Sequence, residues 1–151
     1  FSVYSFPKFF PIQVGGLLVS NKNNFDLIEY VENDFKNYVS KVISHQLKNA
    51  YHLLNKRAEN YNYALSKFKS LGFEVRFQNN DLIVPYALLL KNNSIIKDLN
   101  QLKEFLNQNG IQNSVFYGED AFFITNHQYL SFTDIDYICH CFEVFIEKNK
   151  V

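Results

Sequence analysis

The sequence predicts an α/β chain, with an α+β small domain in which a small sheet is packed with helices. Two patterns carry this reading. Apolar residues recur at helical spacing over long stretches, and short runs alternating with period two lie between them. The aromatic content adds a third constraint: Tyr and Phe total 26 of 151 residues, with no Met and no Trp, so aromatic rings must supply much of the packing.

The elements follow in order. "IQVGGLLVS", Ile12 to Ser20, reads as a buried strand, and Gly15 and Gly16 mark a close approach to its backbone. "NKNN" is a polar turn, with Asn24 as an N-cap. From Phe25 to Leu71 the period is helical, and a break is expected between Tyr38 and Lys48 because one helix of that length would be unusual. Lys67 and Lys69 suit the last turns of the second half, and Gly72 suits its stop.

"FEVRF", Phe73 to Phe77, alternates as a strand does, and "NND" follows as a turn. "LIVPYALLL", Leu82 to Leu90, reads as a strand that Pro85 places at an edge or bulge. Ser94 is expected to open the next helix and Gly110 to end it, with Ile96, Leu99, Leu102, Phe105 and Leu106 on one face. "IQNSVFY" and "AFFIT" are short strands around Gly118. Ser131 and Asp134 resemble a capping box for a final helix reaching about Lys148, with Ile135, Ile138, Phe142 and Phe145 inward.

Fifteen basic and fifteen acidic residues cancel, which disfavours nucleic acid as a partner. No apolar run approaches the ~18 residues of a spanning helix, so no membrane partner is expected. Cys139 and Cys141 flank His140 on a helix, where positions two apart diverge, so neither pairing nor a shared metal is expected. Two thiols of this kind fit a reducing cytoplasm. His45, His52, His127 and His140 lack the partners of a metal set and read as structural or surface residues. Glu119 and Asp120 are adjacent, and neighbours on a strand face opposite ways, so they form no catalytic dyad. No phosphate-binding glycine loop or nucleophile elbow is present. Lys8, between Ser5 and the glycine pair, reads on its own as a solvated lysine. A reactive amine would need desolvation or neighbouring cations, and Tyr4, Phe6, Phe9 and Phe10 permit the former.

Four stretches in order give the chain a wider resemblance. They are "SFPKFFPIQVGG", "LLNKRAENYNYALSKFKSLG", "LIVPYALLLKNN" with "LNQLKEFLNQNGIQ", and "NHQYLSFTDIDYICHCFEVFI". Their layout resembles the C-terminal part of the DegT/StrS-type sugar aminotransferases, pyridoxal-phosphate enzymes of the aspartate-aminotransferase fold (fold type I). Lys8 precedes Gly15 and Gly16 by seven and eight residues, as the lysine of that family precedes its glycine pair.

The resemblance implies that Lys8 binds the cofactor covalently and later shuttles the proton between substrate and cofactor. It implies Ser5 as a hydroxyl toward the cofactor phosphate. It further implies a nucleotide-linked keto-sugar substrate, as in surface-polysaccharide or amino-sugar biosynthesis, and an amino-acid amino donor. The protein would be cytoplasmic and a homodimer when full-length. Residues 1–22 would then end the large cofactor-binding domain, 23–72 would form long bridging helices, and 73–151 the C-terminal small domain. The remaining cofactor contacts would lie upstream of Phe1, so this fragment alone is expected to be inactive. Ser5 stands closer to Lys8 than the family's serine does. A second departure motivates an alternative, a catalytically degenerate homologue serving as a binding or scaffold module: the stretch Asn21 to Val42 carries no asparagine–tyrosine–arginine cluster.

Overall fold

The computed structural model describes residues 1–21, 31–78 and 83–149. Two compact units divide the chain, Phe1–His52 and Leu53–Val151.

The first unit opens with an antiparallel hairpin, β1 (Ser2–Ser5) and β2 (Gly16–Val19). A single 3₁₀ turn, Phe6–Lys8, leaves β1. The glycine pair does what its spacing suggested. Gly15 has a φ of +101° and lies against Phe6 and Val39, and a Cβ on Gly16 would stand 2.7 Å from the Tyr4 carbonyl oxygen. Burial differs from expectation, for β2 is mostly exposed and Ile12, ahead of it, is the buried residue. Helix α1 (Asn33–Leu47) completes the unit, with Ile43 buried. The polar turn and the Asn24 cap fall at residues outside the described ones, apart from Asn21.

Helix α2 (Ala50–Ser70) begins after a break at Lys48 and Asn49, the end of the interval in which the sequence placed it. From Leu53 onward it belongs to the second unit. Gly72, at φ +92°, stops it as its sequence position predicted. The second unit contains an antiparallel sheet in the order β3-β4-β6-β5, formed by β3 (Glu74–Val75), β4 (Ala87–Lys91), β5 (Asn113–Val115) and β6 (Ala121–Thr125). Helices α3 (Leu99–Gln108) and α4 (Phe132–Lys148) join α2 against it.

Two sequence expectations need correction. Strand β4 starts at Ala87, so Pro85 lies ahead of it and β4 is an interior strand rather than an edge. Ser94 does not cap α3. It sits at φ +60° beside Asn93 at +50°, in a tight turn where the Asn92 side chain bonds the Ile96 backbone and Asp120 at 2.8–2.9 Å. Asp98 is the cap, in extended conformation, accepting from the N–H of Asn100 (2.9 Å) and Gln101 (3.2 Å). The capping box of Ser131 and Asp134 on α4 is present as read, and Ser131 holds the Asp134 carboxyl below the usual range.

Leu88 and Leu90 face Ile124 and Phe122 across the β4–β6 ladder and turn into the core. Phe142 of α4 meets Phe68, Phe73 and Phe122 edge to face, with ring centroids 5.0–5.8 Å apart. Cys139 and Cys141 are free thiols, both buried, and burial pushes Cys139 up to about 12. Phe142→Ala removes the ring common to these three contacts. It is expected to lower the stability of the second unit by about 3–5 kcal/mol, read from urea unfolding.

Candidate functional site

Ser5 is the last residue of β1 and Lys8 the last of the 3₁₀ turn that follows, and both are exposed. Ser5 keeps an extended backbone (φ −92°, ψ 113°) where the turn begins, and Lys8 closes the turn three residues later. The Ser5 hydroxyl makes no capping bond to the turn. Phe6, Phe9 and Phe10 are half-buried around it, and the rings of Phe6 and Phe10 stand 6.3 Å apart.

The second unit holds a polar cluster that sequence reading did not single out. Arg57 and Asn60 of α2 are fully buried. The Arg57 guanidinium donates to Oε1 of Gln128, 2.9 Å from Nε, and burial lowers its pKa. The Asn60 amide donates to the carbonyls of His127 and Leu130, each at 2.8 Å. The Asn126 amide donates to the carbonyls of Arg57 (3.0 Å) and Pro85 (2.7 Å). Four buried side chains, Arg57, Asn60, Asn126 and Gln128, thus tie α2, the approach to β4 and the connection from β6 to α4. A sequence signal existed, for residues 57 and 60 are in phase with the core positions 61, 64 and 68.

His127 lies at the rim of this cluster, half-buried, and its Nδ1 accepts the N–H of Tyr129 at 3.2 Å. Burial first, and the Arg57 charge second, lower its pKa from 6.5. The adjacent carboxylates Glu119 and Asp120 lie in the turn before β6 and serve different partners. Glu119 bonds Arg76 at 2.6 Å, and Asp120 bonds Asn92. An open cleft of about 670 Å³ beside β3 is lined by Lys69, Arg76 and Lys91 among others, but Glu119 engages Arg76 and Glu74 lies 3.9 Å from Lys91. Among the described residues no His, Cys, Asp and Glu group could hold a metal ion, and no helix is long and apolar enough to cross a membrane.

The fold defines a class before any relative is considered: a mixed α/β chain with helices packed on a small antiparallel sheet. No protein-family model matches the chain, and no curated protein matches it. Solved structures do. The chain is similar to a GDP-4-keto-6-deoxymannose-3-dehydratase with a trapped PLP-glutamate geminal diamine, at 23% identity and a TM-score of 0.51, over 64% of this chain and 33% of that one. It is also similar to the E. coli GDP-4-keto-6-deoxy-D-mannose-3-dehydratase with bound hydrated PLP, at 24% identity and a TM-score of 0.50, over 64% and 32%. The chain therefore spans about a third of the length of the chains it matches. The likeness establishes the fold, which this chain shares with a portion of each of those two PLP-bearing proteins.

Two outcomes follow for the polar cluster. Gln128→Leu removes the acceptor of a buried guanidinium and is expected to cost about 3 kcal/mol in urea unfolding. His127 is held below its ordinary value in the fold, so its contribution is full above about pH 6.5 and fades as pH falls toward its folded value. Unfolding midpoints should therefore drop as the pH is lowered below about 6.5. His127→Asn keeps an acceptor for Tyr129 and should flatten part of that slope.

Proposed function

We propose that the chain is part of a pyridoxal-phosphate-dependent aminotransferase acting on a nucleotide-linked keto-sugar, with Lys8 as the residue that carries the cofactor. The observation behind the reading is the placement of Lys8. It ends the single turn that follows β1 and Ser5, ahead of a glycine pair in close backbone contact, within a chain whose fold matches part of two PLP-bearing enzymes.

The donor set fits the cofactor. An exposed primary amine can bind an aldehyde, and an exposed hydroxyl with no capping bond can donate to a phosphate. Bound there, pyridoxal phosphate supplies the electron sink, and the protein supplies orientation. The Lys8 amine would hold the aldehyde carbon and move the proton at the reacting carbon. The Ser5 hydroxyl would orient the phosphate. The half-buried rings of Phe6, Phe9 and Phe10 would keep water from part of the amine's surroundings. An amino acid as donor, a homodimer and a cytoplasmic setting belong to the same reading.

A second reading keeps the cofactor and the substrate class and changes the outcome to dehydration. The two neighbours favour it, since both are 3-dehydratases of a GDP-keto-sugar. Product analysis separates the two: a sugar that gained an amine supports transamination, and one that lost a hydroxyl supports dehydration.

Borohydride reduction of the full-length protein with added pyridoxal phosphate tests the anchor. A reduced cofactor adduct is expected on the peptide containing Lys8, and Lys8→Ala should abolish both the adduct and the near-visible absorbance. An adduct on another lysine would sink the assignment. No adduct at all would favour a degenerate homologue with a binding role.

A further inference from the structure

Asn109 is the one asparagine of the chain followed by glycine, and the pair ends α3. Glycine has no Cβ, so its nitrogen can approach a neighbouring side-chain amide closely. In the reaction this allows, the Gly110 nitrogen loses its proton and bonds to Cγ of Asn109. The Cγ–Nδ2 bond breaks, and ammonia leaves with that proton. Water then opens the five-membered imide at either carbonyl. The product is aspartate, or its isomer with the backbone routed through the side chain. Neither an oxidant nor a reductant enters. Gly110 is exposed, and a Cβ there would meet nothing within 4 Å, so water reaches the pair.

The native cap opposes the first step. Ring closure requires Cβ of Asn109 and the Gly110 nitrogen on the same side of the Cα–C bond. At ψ 15° that nitrogen is nearly eclipsed with the backbone nitrogen of Asn109 instead. The Gly110 N–H donates to the Asn107 carbonyl at 3.0 Å, and the Asn109 side chain donates to the Phe105 carbonyl at 2.8 Å. These bonds hold the proton that the nucleophile must lose and turn the reacting amide back along the helix. The Ile111 N–H closes the cap on the Leu106 carbonyl at 2.9 Å. The Tyr137 hydroxyl of α4 donates to the Asn109 carbonyl at 3.2 Å.

We propose that Asn109–Gly110 is a deamidation site that the C-cap of α3 keeps silent, and that modification, once it occurs, holds the cap open. The product has lost the donor to the Phe105 carbonyl. It also carries a negative charge at a helix C-terminus, where the last carbonyls already present partial negative charge. Reclosure is disfavoured, so brief openings accumulate as a permanent change. Leu106 and Ile111, buried on either side of the pair, carry that change into the core. The site lies in the second unit, and its chemistry is independent of the function proposed above.

Peptide mapping of the protein during incubation in mildly alkaline buffer tests the proposal. In the urea-unfolded protein, aspartate and isoaspartate should form at Asn109 ahead of every other asparagine, and Gly110→Ala should slow this about 10-fold. In the native protein conversion at Asn109 should be about 30-fold slower. The native rate should stay nearly flat at low urea, because opening the cap exposes little surface. Tyr137→Phe should raise the native rate about 3-fold and leave the unfolded rate unchanged. Asn109→Asp matches the direct product and should speed amide exchange at Gly110 and Ile111 about 10-fold. Equal rates in native and unfolded protein overturn the proposal. So does earlier conversion of another asparagine in urea, or no conversion at Asn109. A native rate that climbs from the first addition of urea assigns the step to global unfolding and overturns the role of the cap, as does an unchanged native rate in Tyr137→Phe. Unchanged exchange in Asn109→Asp overturns the lasting effect.

Discussion

Burial of Arg57 and Asn60 on the inward side of α2 is the constraint on which the second unit depends. A guanidinium and an amide in that position are costly unless each finds partners. They find them in one connection, from β6 into α4, through Gln128 and the carbonyls of His127 and Leu130. Asn126 answers by bonding carbonyls of α2 and of the segment before β4. The exchange fixes where the chain leaves the sheet. The α4 cap begins immediately beyond it, so Ile135, Phe142 and Phe145 enter the core in the right phase.

The apolar core completes what the polar cluster aligns. With no Met or Trp to fill gaps, phenylalanine rings meet edge to face, and Phe142 is their common neighbour. Outside the core, Lys67 reaches Asp136 at 2.7 Å and Tyr63 bonds the same carboxyl, which together hold it below its ordinary value. Tyr63 also stacks on Phe132 with centroids 4.3 Å apart. These exposed contacts again join α2 to α4, so the two helices are linked by polar, aromatic and ionic contacts at successive levels.

Much of this was legible in the sequence. Gly72, Gly110 and Gly118 marked helix ends and a turn, and all three adopt positive φ. Ser131 and Asp134 announced α4 because a capping box is local chemistry, complete within four residues. The misread elements are those fixed by distant partners. Ser94 resembled a cap, but Asn92 and Asp120, 28 residues apart, hold its turn in a left-handed conformation. Pro85 seemed to demote a strand that starts only after it. Arg57 and Gln128 are 71 residues apart, and no local pattern joins them. At the candidate site, the lysine, the serine and the glycine pair were all visible. The 3₁₀ turn that carries the chain from Phe6 to Lys8 was not, because a single turn leaves no periodicity to read.

The two free thiols of α4 give the molecule an internal clock. Cys139 is buried and its thiolate is suppressed up to about pH 12, and Cys141 is buried as well. The thiolate is the nucleophilic form and is suppressed at Cys139, and burial closes both sulfurs to an alkylating reagent while α4 stays docked. Modification must wait for the helix to lift. The labelling rate then counts excursions of α4 from the sheet, with no probe added and no residue changed.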